Sequence, residues 1–219
     1  MGAIIFDFDG LIVDTESPEV EVWKALFTRH GVSLPDSWWS NAIGRGHDQQ
    51  QIHPADLLIQ TTGKNLNRES LIEEGHAMRT EIVRQMPLLP GVRNLIEEAE
   101  TLGIKLGLAS SSRHTWVDPL LELHQLTKKF AIVACAEDVK QTKPAPDLYL
   151  LACNKLNIPP KQALALEDSP PGIHSAKQAG LTAIAVPNPF TAQLDLSEAD
   201  AVFDSLLQFK LQEFIHVFK

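Results

Sequence analysis

The chain has 219 residues, 44% hydrophobic and 21% charged, which fits one large domain or a medium domain carrying an insert and excludes a largely disordered polymer. Nineteen Lys+Arg against 28 Asp+Glu leave a formal charge of −9, a balance that argues against a broad nucleic-acid surface or a polybasic membrane patch but permits a local site for an anionic substrate. Cys135 and Cys153, the only cysteines, make no disulfide framework and no CxxC pair, so they read as small buried hydrophobes in a reducing compartment. There is no charged leader followed by an apolar run and a cleavage site, and no stretch approaches eighteen apolar residues. A cytoplasmic protein without a membrane partner is expected.

Taken in chain order, residues 3–6 (AIIF) form a short unbroken apolar run ending in Asp7, the pattern of a strand buried on both faces of a parallel sheet. Residues 16–86 read differently: helix-period segments such as 20–27, and no convincing buried strand. This stretch is expected to be an inserted helical domain. Its far edge is Pro87-Leu88-Leu89-Pro90-Gly91, which stops any helix. Beyond it, apolar runs at 104–109, 130–134, 163–166 and 182–186, with a weaker one at 201–203, alternate with helical patterns at 92–102, 146–156, 173–179 and 206–218. Gly103 stands where a helix end favours positive φ. Strands alternating with helices imply right-handed crossovers. The expected fold is α/β, a Rossmann-like doubly wound parallel sheet core over residues 1–15 and 87–219 with a small α-helical cap over 16–86.

In open α/β sheets the site lies beyond the C-terminal strand ends, so the residues after each run matter most. They include Asp7-Phe8-Asp9-Gly10, Ser110-Ser111-Ser112-Arg113, Lys143-Pro144 and Glu167-Asp168-Ser169. Two carboxylates ~5 Å apart repel by roughly 3 kcal/mol at an effective dielectric of about 20, so gathering Asp7, Asp9, Glu167 and Asp168 calls for a cation. An all-oxygen donor set favours Mg²⁺, which commonly bridges carboxylates to a substrate phosphate. Lys143 adds a fixed positive charge and Ser110 a hydroxyl, which together make a pocket for a phosphoryl group.

These residues carry a family resemblance. The ordered motifs Asp7-Phe8-Asp9-Gly10-Leu11-Ile12-Val13-Asp14-Thr15-Glu16, Ser110, Lys143-Pro144 and Glu167-Asp168-Ser169 resemble those of the haloacid dehalogenase superfamily. The insert is similar to the helical cap of the subgroup containing phosphoglycolate phosphatase and beta-phosphoglucomutase. The resemblance implies that Asp7 is a nucleophile forming an aspartyl-phosphate and Asp9 the general acid and base. It implies that Ser110 holds phosphoryl oxygens and Lys143 neutralises charge on Asp7. Mg²⁺ would sit on Asp7, the main-chain carbonyl of Asp9, and Asp168, with Glu167 as a further ligand. Asp9 itself favours phosphate esters, since dehalogenases of this superfamily lack an aspartate there.

The implied function is a Mg²⁺-dependent phosphatase of a small phosphorylated metabolite, acting as a monomer. The alternatives are a beta-phosphoglucomutase-like mutase and, from another class, a phosphoacceptor signalling domain of the receiver type. Glu19 stands where a mutase keeps a histidine, and His47 where it keeps an arginine. Ser111, Ser112 and Arg113 either touch phosphate or cap the following helix. In the cap, Arg45 and His47 are candidates for the substrate's leaving group, and Trp38-Trp39 for a pocket wall. Ser169 reads as the N-cap before Pro170, Asp14 as a local backbone acceptor, and His114, His124, His174 and His216 as surface residues.

Overall fold

The computed structural model of the chain describes residues 2–35 and 52–215. Six strands form one parallel sheet in the order β3-β2-β1-β4-β5-β6. They are β1 (Ala3–Phe6), β2 (Lys105–Ala109), β3 (Ile132–Ala134), β4 (Ala163–Glu167), β5 (Thr182–Ala185) and β6 (Ala201–Val202). The order reverses on either side of β1, as a doubly wound sheet requires. Alternate residues of β1 serve different cores. Ile4 and Phe6 join the cluster under α4 (Val92–Thr101) and α5 (His114–Leu123), whereas Ala3 and Ile5 join the one under α6 (Asp147–Leu156) and α7 (Pro170–Gln178). A strand covered on both faces has no solvent side, which is why its sequence is apolar without alternation.

Register decides where the chemistry falls. Phe6 of β1 pairs with Leu108 of β2 and Leu166 of β4, and the Asp7 N–H donates to the Leu166 carbonyl at 2.9 Å. Residues leaving β1, β2 and β4 therefore emerge side by side at one sheet edge.

Among the described residues, three helices precede α4: α1 (Glu16–Arg29), α2 (Pro54–Thr62) and α3 (Arg68–Val83). They share a separate core built from Trp23, Leu26, Phe27, Leu58 and Leu71. The chain leaves the sheet and returns to it at one place: Val13 bridges to Leu88, and the Leu89 N–H donates to the Ile12 carbonyl at 2.9 Å. Asp14 accepts from the N–H groups of Glu16 and Ser17 at the start of α1, the local role its sequence position suggests. Among the described residues, no helix is long and apolar enough to cross a membrane.

One expected element differs. Where a helix is expected at 206–218, residues 206–208 are a turn and a short α8 spans Leu211–Ile215, while 216–218 lie outside the described residues. Phe209 and Phe214 stack at 4.8 Å with Phe203 against both. Residues five apart on a straight helix point roughly 140° away from each other, so this aromatic cluster and a continuous helix exclude one another.

The tightest approach between helix and strand lies where α7 crosses the end of β4. A Cβ on Gly172 would stand 2.0 Å from the Glu167 carboxylate, and Glu167 is fully buried. Gly172→Ala is expected to lower stability by about 1–3 kcal/mol through overpacking, measured as a fall in the urea midpoint; an unchanged midpoint would show that the helix can shift freely.

Candidate active site

Asp7, Glu167 and Asp168 meet where β1 and β4 end, each buried, with ligand-type oxygens all within 4.8 Å of one another. Lys143 reaches them from the segment preceding α6. Its Nζ donates to Asp7 Oδ1 and, at 2.5 Å, to Glu167 Oε1. Tyr149, on the first turn of α6, donates its hydroxyl to the same Glu167 oxygen at 2.6 Å. Glu167 is thus engaged by Lys143 and Tyr149 and acts here as the anchor of the lysine.

The charges do not balance. One ammonium faces three buried carboxylates. Burial pushes the Asp7 carboxyl up to about 8 despite the opposing pull of Lys143, with Glu167 and Asp9 adding to the rise. Burial also holds Asp168 well above the carboxylate range, reinforced by Asp7 and Glu16. Burial opposes charge on Lys143 as well, but Asp7 and Glu167 outweigh it and raise the lysine above its usual value. The surplus negative charge is met either by protons on Asp7 and Asp168 or by a cation. Three hard oxygen donors without a nitrogen or sulfur ligand suit Mg²⁺.

Asp9 lies apart from this trio. Its Oδ2 accepts from Ser112 Oγ at 2.6 Å and Ser110 Oγ at 3.4 Å, and its Oδ1 from Trp116 Nε1 at 2.8 Å. Arg79 of α3 comes within 3.9 Å of the same oxygen, pairs with Glu19 at 3.1 Å and stacks over the Trp116 ring at 4.5 Å. A side chain from the helical layer therefore touches the strand-end site.

Of the sequence-derived candidates, Asp7, Glu167, Asp168 and Lys143 come together, with Ser110 and Asp9 beside them. Ser111 and Arg113 line a cleft of about 340 Å³ together with Arg79, His76 and Trp116. Arg45, His47, Trp38, Trp39 and His216 lie outside the described residues. Ser169 occupies the N-cap position of α7 but accepts from no helix N–H; its Oγ faces Glu167 Oε2 at 3.4 Å instead. Pro170 and Pro171 leave the first two helix positions without a donor, so only the Gly172 N–H is open to a capping side chain. His114 sits between Asp118 and Asp138, and His174 pairs with Glu198, both away from the carboxylate trio. Cys135 and Cys153 are buried and unpaired. Sequence reasoning overlooked Trp116, Arg79, Tyr149 and Asn188, and it gave Glu16, the last residue of the first motif, no role of its own. An indole in the first turn of the helix after the serine motif was the visible signal for Trp116.

The haloacid dehalogenase-like hydrolase family model matches residues 4–186, and the chain belongs to this family. It is 39% identical over 209 residues to YhcW of Bacillus subtilis, a provisionally assigned phosphatase, with 95% of this chain and 94% of that protein covered. Among solved structures it resembles CbbY of Rhodobacter sphaeroides in complex with phosphate, with a TM-score of 0.72, 26% identity and 94% and 95% coverage. It also resembles a provisionally assigned beta-phosphoglucomutase of Thermotoga maritima, with a TM-score of 0.79, 25% identity and 99% and 98% coverage.

The raised carboxylates give metal binding a pH signature. Below about 8 the metal-free Asp7 holds a proton that a cation must displace. Calorimetric titration of Mg²⁺ at pH 7 is expected to release protons, seen as a heat that varies with buffer ionisation enthalpy. Because the native state keeps a proton that the unfolded chain loses near 3.8, metal-free stability falls as pH rises towards about 8. The rise in Tm on adding Mg²⁺ should accordingly be larger near pH 8 than near pH 6; equal rises and buffer-independent heats would contradict the protonated Asp7.

Proposed function

We propose that the protein is a Mg²⁺-dependent phosphoric monoester hydrolase that acts on a small phosphorylated metabolite through an aspartyl-phosphate on Asp7. Residues 1–15 and 87–219 form the catalytic core in this reading, and 16–86 the cap over it. The observation that carries the proposal is the buried Asp7 with Lys143 on one oxygen, set beside Glu167 and Asp168 at the edge where the strands end.

Asp7, Asp168 and the main-chain carbonyl of Asp9 would hold the cation. When bound, it supplies positive charge for the carboxylates and the phosphoryl oxygens. An Asp7 oxygen attacks phosphorus as the bond to the leaving alkoxide breaks, and Asp9 delivers a proton to that alkoxide. Asp9 then takes a proton from water, whose oxygen attacks phosphorus and releases Asp7. Lys143 limits the charge that builds up on Asp7, and Ser110 donates to a phosphoryl oxygen. The Ser112 and Trp116 hydrogen bonds fix where the Asp9 carboxylate waits between these two proton transfers. The cleft bordered by Ser111, Arg113 and Arg79 receives the leaving group. Arg45 and His47 retain the substrate-selecting role that the family resemblance implies.

The likeness to a beta-phosphoglucomutase supports a second reading, phosphoryl return to a sugar. Hydrolysis is favoured because Glu19, at the place of a mutase histidine, is already committed to Arg79 and to Trp23 Nε1 at 2.7 Å. With beta-glucose 1-phosphate and its bisphosphate activator, a hydrolase frees inorganic phosphate and a mutase makes glucose 6-phosphate.

Turnover of an aryl phosphate is expected to stop on chelation and return with Mg²⁺; full activity in chelator would overturn the metal assignment. Asp7→Asn should abolish turnover with little change in Tm, and retained turnover would place the nucleophile elsewhere. Asp9→Asn and Lys143→Ala should each slow the reaction at least ~10²-fold, read as kcat.

A further inference from the structure

The end of the fifth strand carries a side chain that neither the charge balance nor the reaction has used. Asn188 follows β5 by three residues and is buried. Its Oδ1 accepts from the N–H groups of Phe190 and Thr191 at 2.9 and 3.1 Å, and its own N–H donates to Thr191 Oγ1 at 3.0 Å. On the other side, Nδ2 donates to Asp168 Oδ2 at 2.8 Å and to Glu16 Oε2 at 2.9 Å.

An amide set between two N–H donors and two carboxylates has one orientation that satisfies all four contacts. The flipped amide would put N–H against N–H and oxygen against carboxylate. The side chain is therefore locked at both ends. Gly10 shows how closely these groups pack: with φ at +78°, a Cβ there would stand 2.5 Å from Asp168 Oδ2 and 2.7 Å from Asn188 Nδ2. Any larger residue at that turn would push the pair apart.

We infer that Asn188 is the positioning residue of the cation site. Its backbone-anchored amide fixes the carboxylate of Asp168 and ties it to Glu16 in the first turn of α1. The inference rests on the Mg²⁺ reading proposed above. Oδ2 of Asp168 is held by the amide, and Oδ1 accepts no hydrogen bond among the described residues, so one oxygen is oriented while the other stays available to a cation. Without the amide, Asp168 can rotate away from Asp7 and Glu167, and each cation bound must first restore its orientation. Partners that orient a ligand in this way commonly contribute about 10–100-fold in metal affinity.

The test titrates Mg²⁺ calorimetrically into the metal-free full chain for wild type, Asn188→Ala, Asn188→Ser and Thr191→Val. Serine keeps an acceptor for the turn N–H groups but is too short to reach Asp168, so it separates the clamp from the fold of the loop. Both Asn188 variants are expected to weaken Mg²⁺ binding about 10–100-fold. Thr191→Val loosens the same loop without touching Asp168; it should lower Tm and leave Mg²⁺ affinity unchanged. Wild-type affinity in Asn188→Ser, or an equal loss in Thr191→Val, would overturn the inference. A wild-type protein that binds no Mg²⁺ would instead overturn the metal reading on which it rests.

Discussion

A single buried ammonium, Lys143, held between Asp7 and Glu167 with Asp168 beside them, is the constraint from which the rest of the site follows. At an effective dielectric of about 20, each unscreened carboxylate pair a few ångströms apart costs several kcal/mol. The protein offsets part of that cost with its own groups. Tyr149 donates to Glu167, Asn188 donates to Asp168, and the parallel register sets the ends of β1 and β4 next to each other. What remains unmatched is buried negative charge at the edge where β1 and β4 end, which a divalent cation would offset.

Two kinds of residue meet at that place. Asp7, Glu167 and Asp168 form one buried acidic group around Lys143. Asp9 belongs to another, pointing towards Ser112, Trp116 and Arg79 of α3. The separation divides the work in the proposed reaction: one set holds the phosphoryl group and its charge, the other exchanges a proton with the leaving group and water. Glu19, Arg79 and Trp116 connect that second set to the helical layer, so a shift of α3 relative to the sheet would be felt at Asp9 before it reached Asp7.

Much of this arrangement was legible in the sequence. Unbroken apolar runs ending in acidic or hydroxyl residues located the strands and their functional ends, because a parallel sheet buries both faces of its strands and loads its chemistry at one edge. The partners of those residues were less visible. Trp116 and Arg79 act through rotamers and helix packing, which no spacing reveals, and Tyr149 reads as an ordinary core aromatic on an amphipathic helix. Asn188 was within reach of the same strand-end rule, two residues after the run that closes at Val186. Ser169 takes the N-cap position that its place before Pro170 suggests, but its hydroxyl turns to Glu167 rather than to a helix N–H. The C-terminal helix was over-extended because apolar periodicity does not distinguish a straight helix from a bend that stacks Phe209 on Phe214.

The central claim is that the buried Asp7 carboxyl holds a proton that a cation displaces. A carbonyl-carbon NMR titration of selectively labelled aspartate follows the Asp7 carboxyl directly, with Asp7→Asn supplying the assignment. The account predicts a midpoint near 8 in the metal-free protein, displaced far downward by saturating Mg²⁺. An Asp7 that titrates in the ordinary carboxylate range and does not respond to Mg²⁺ would contradict it.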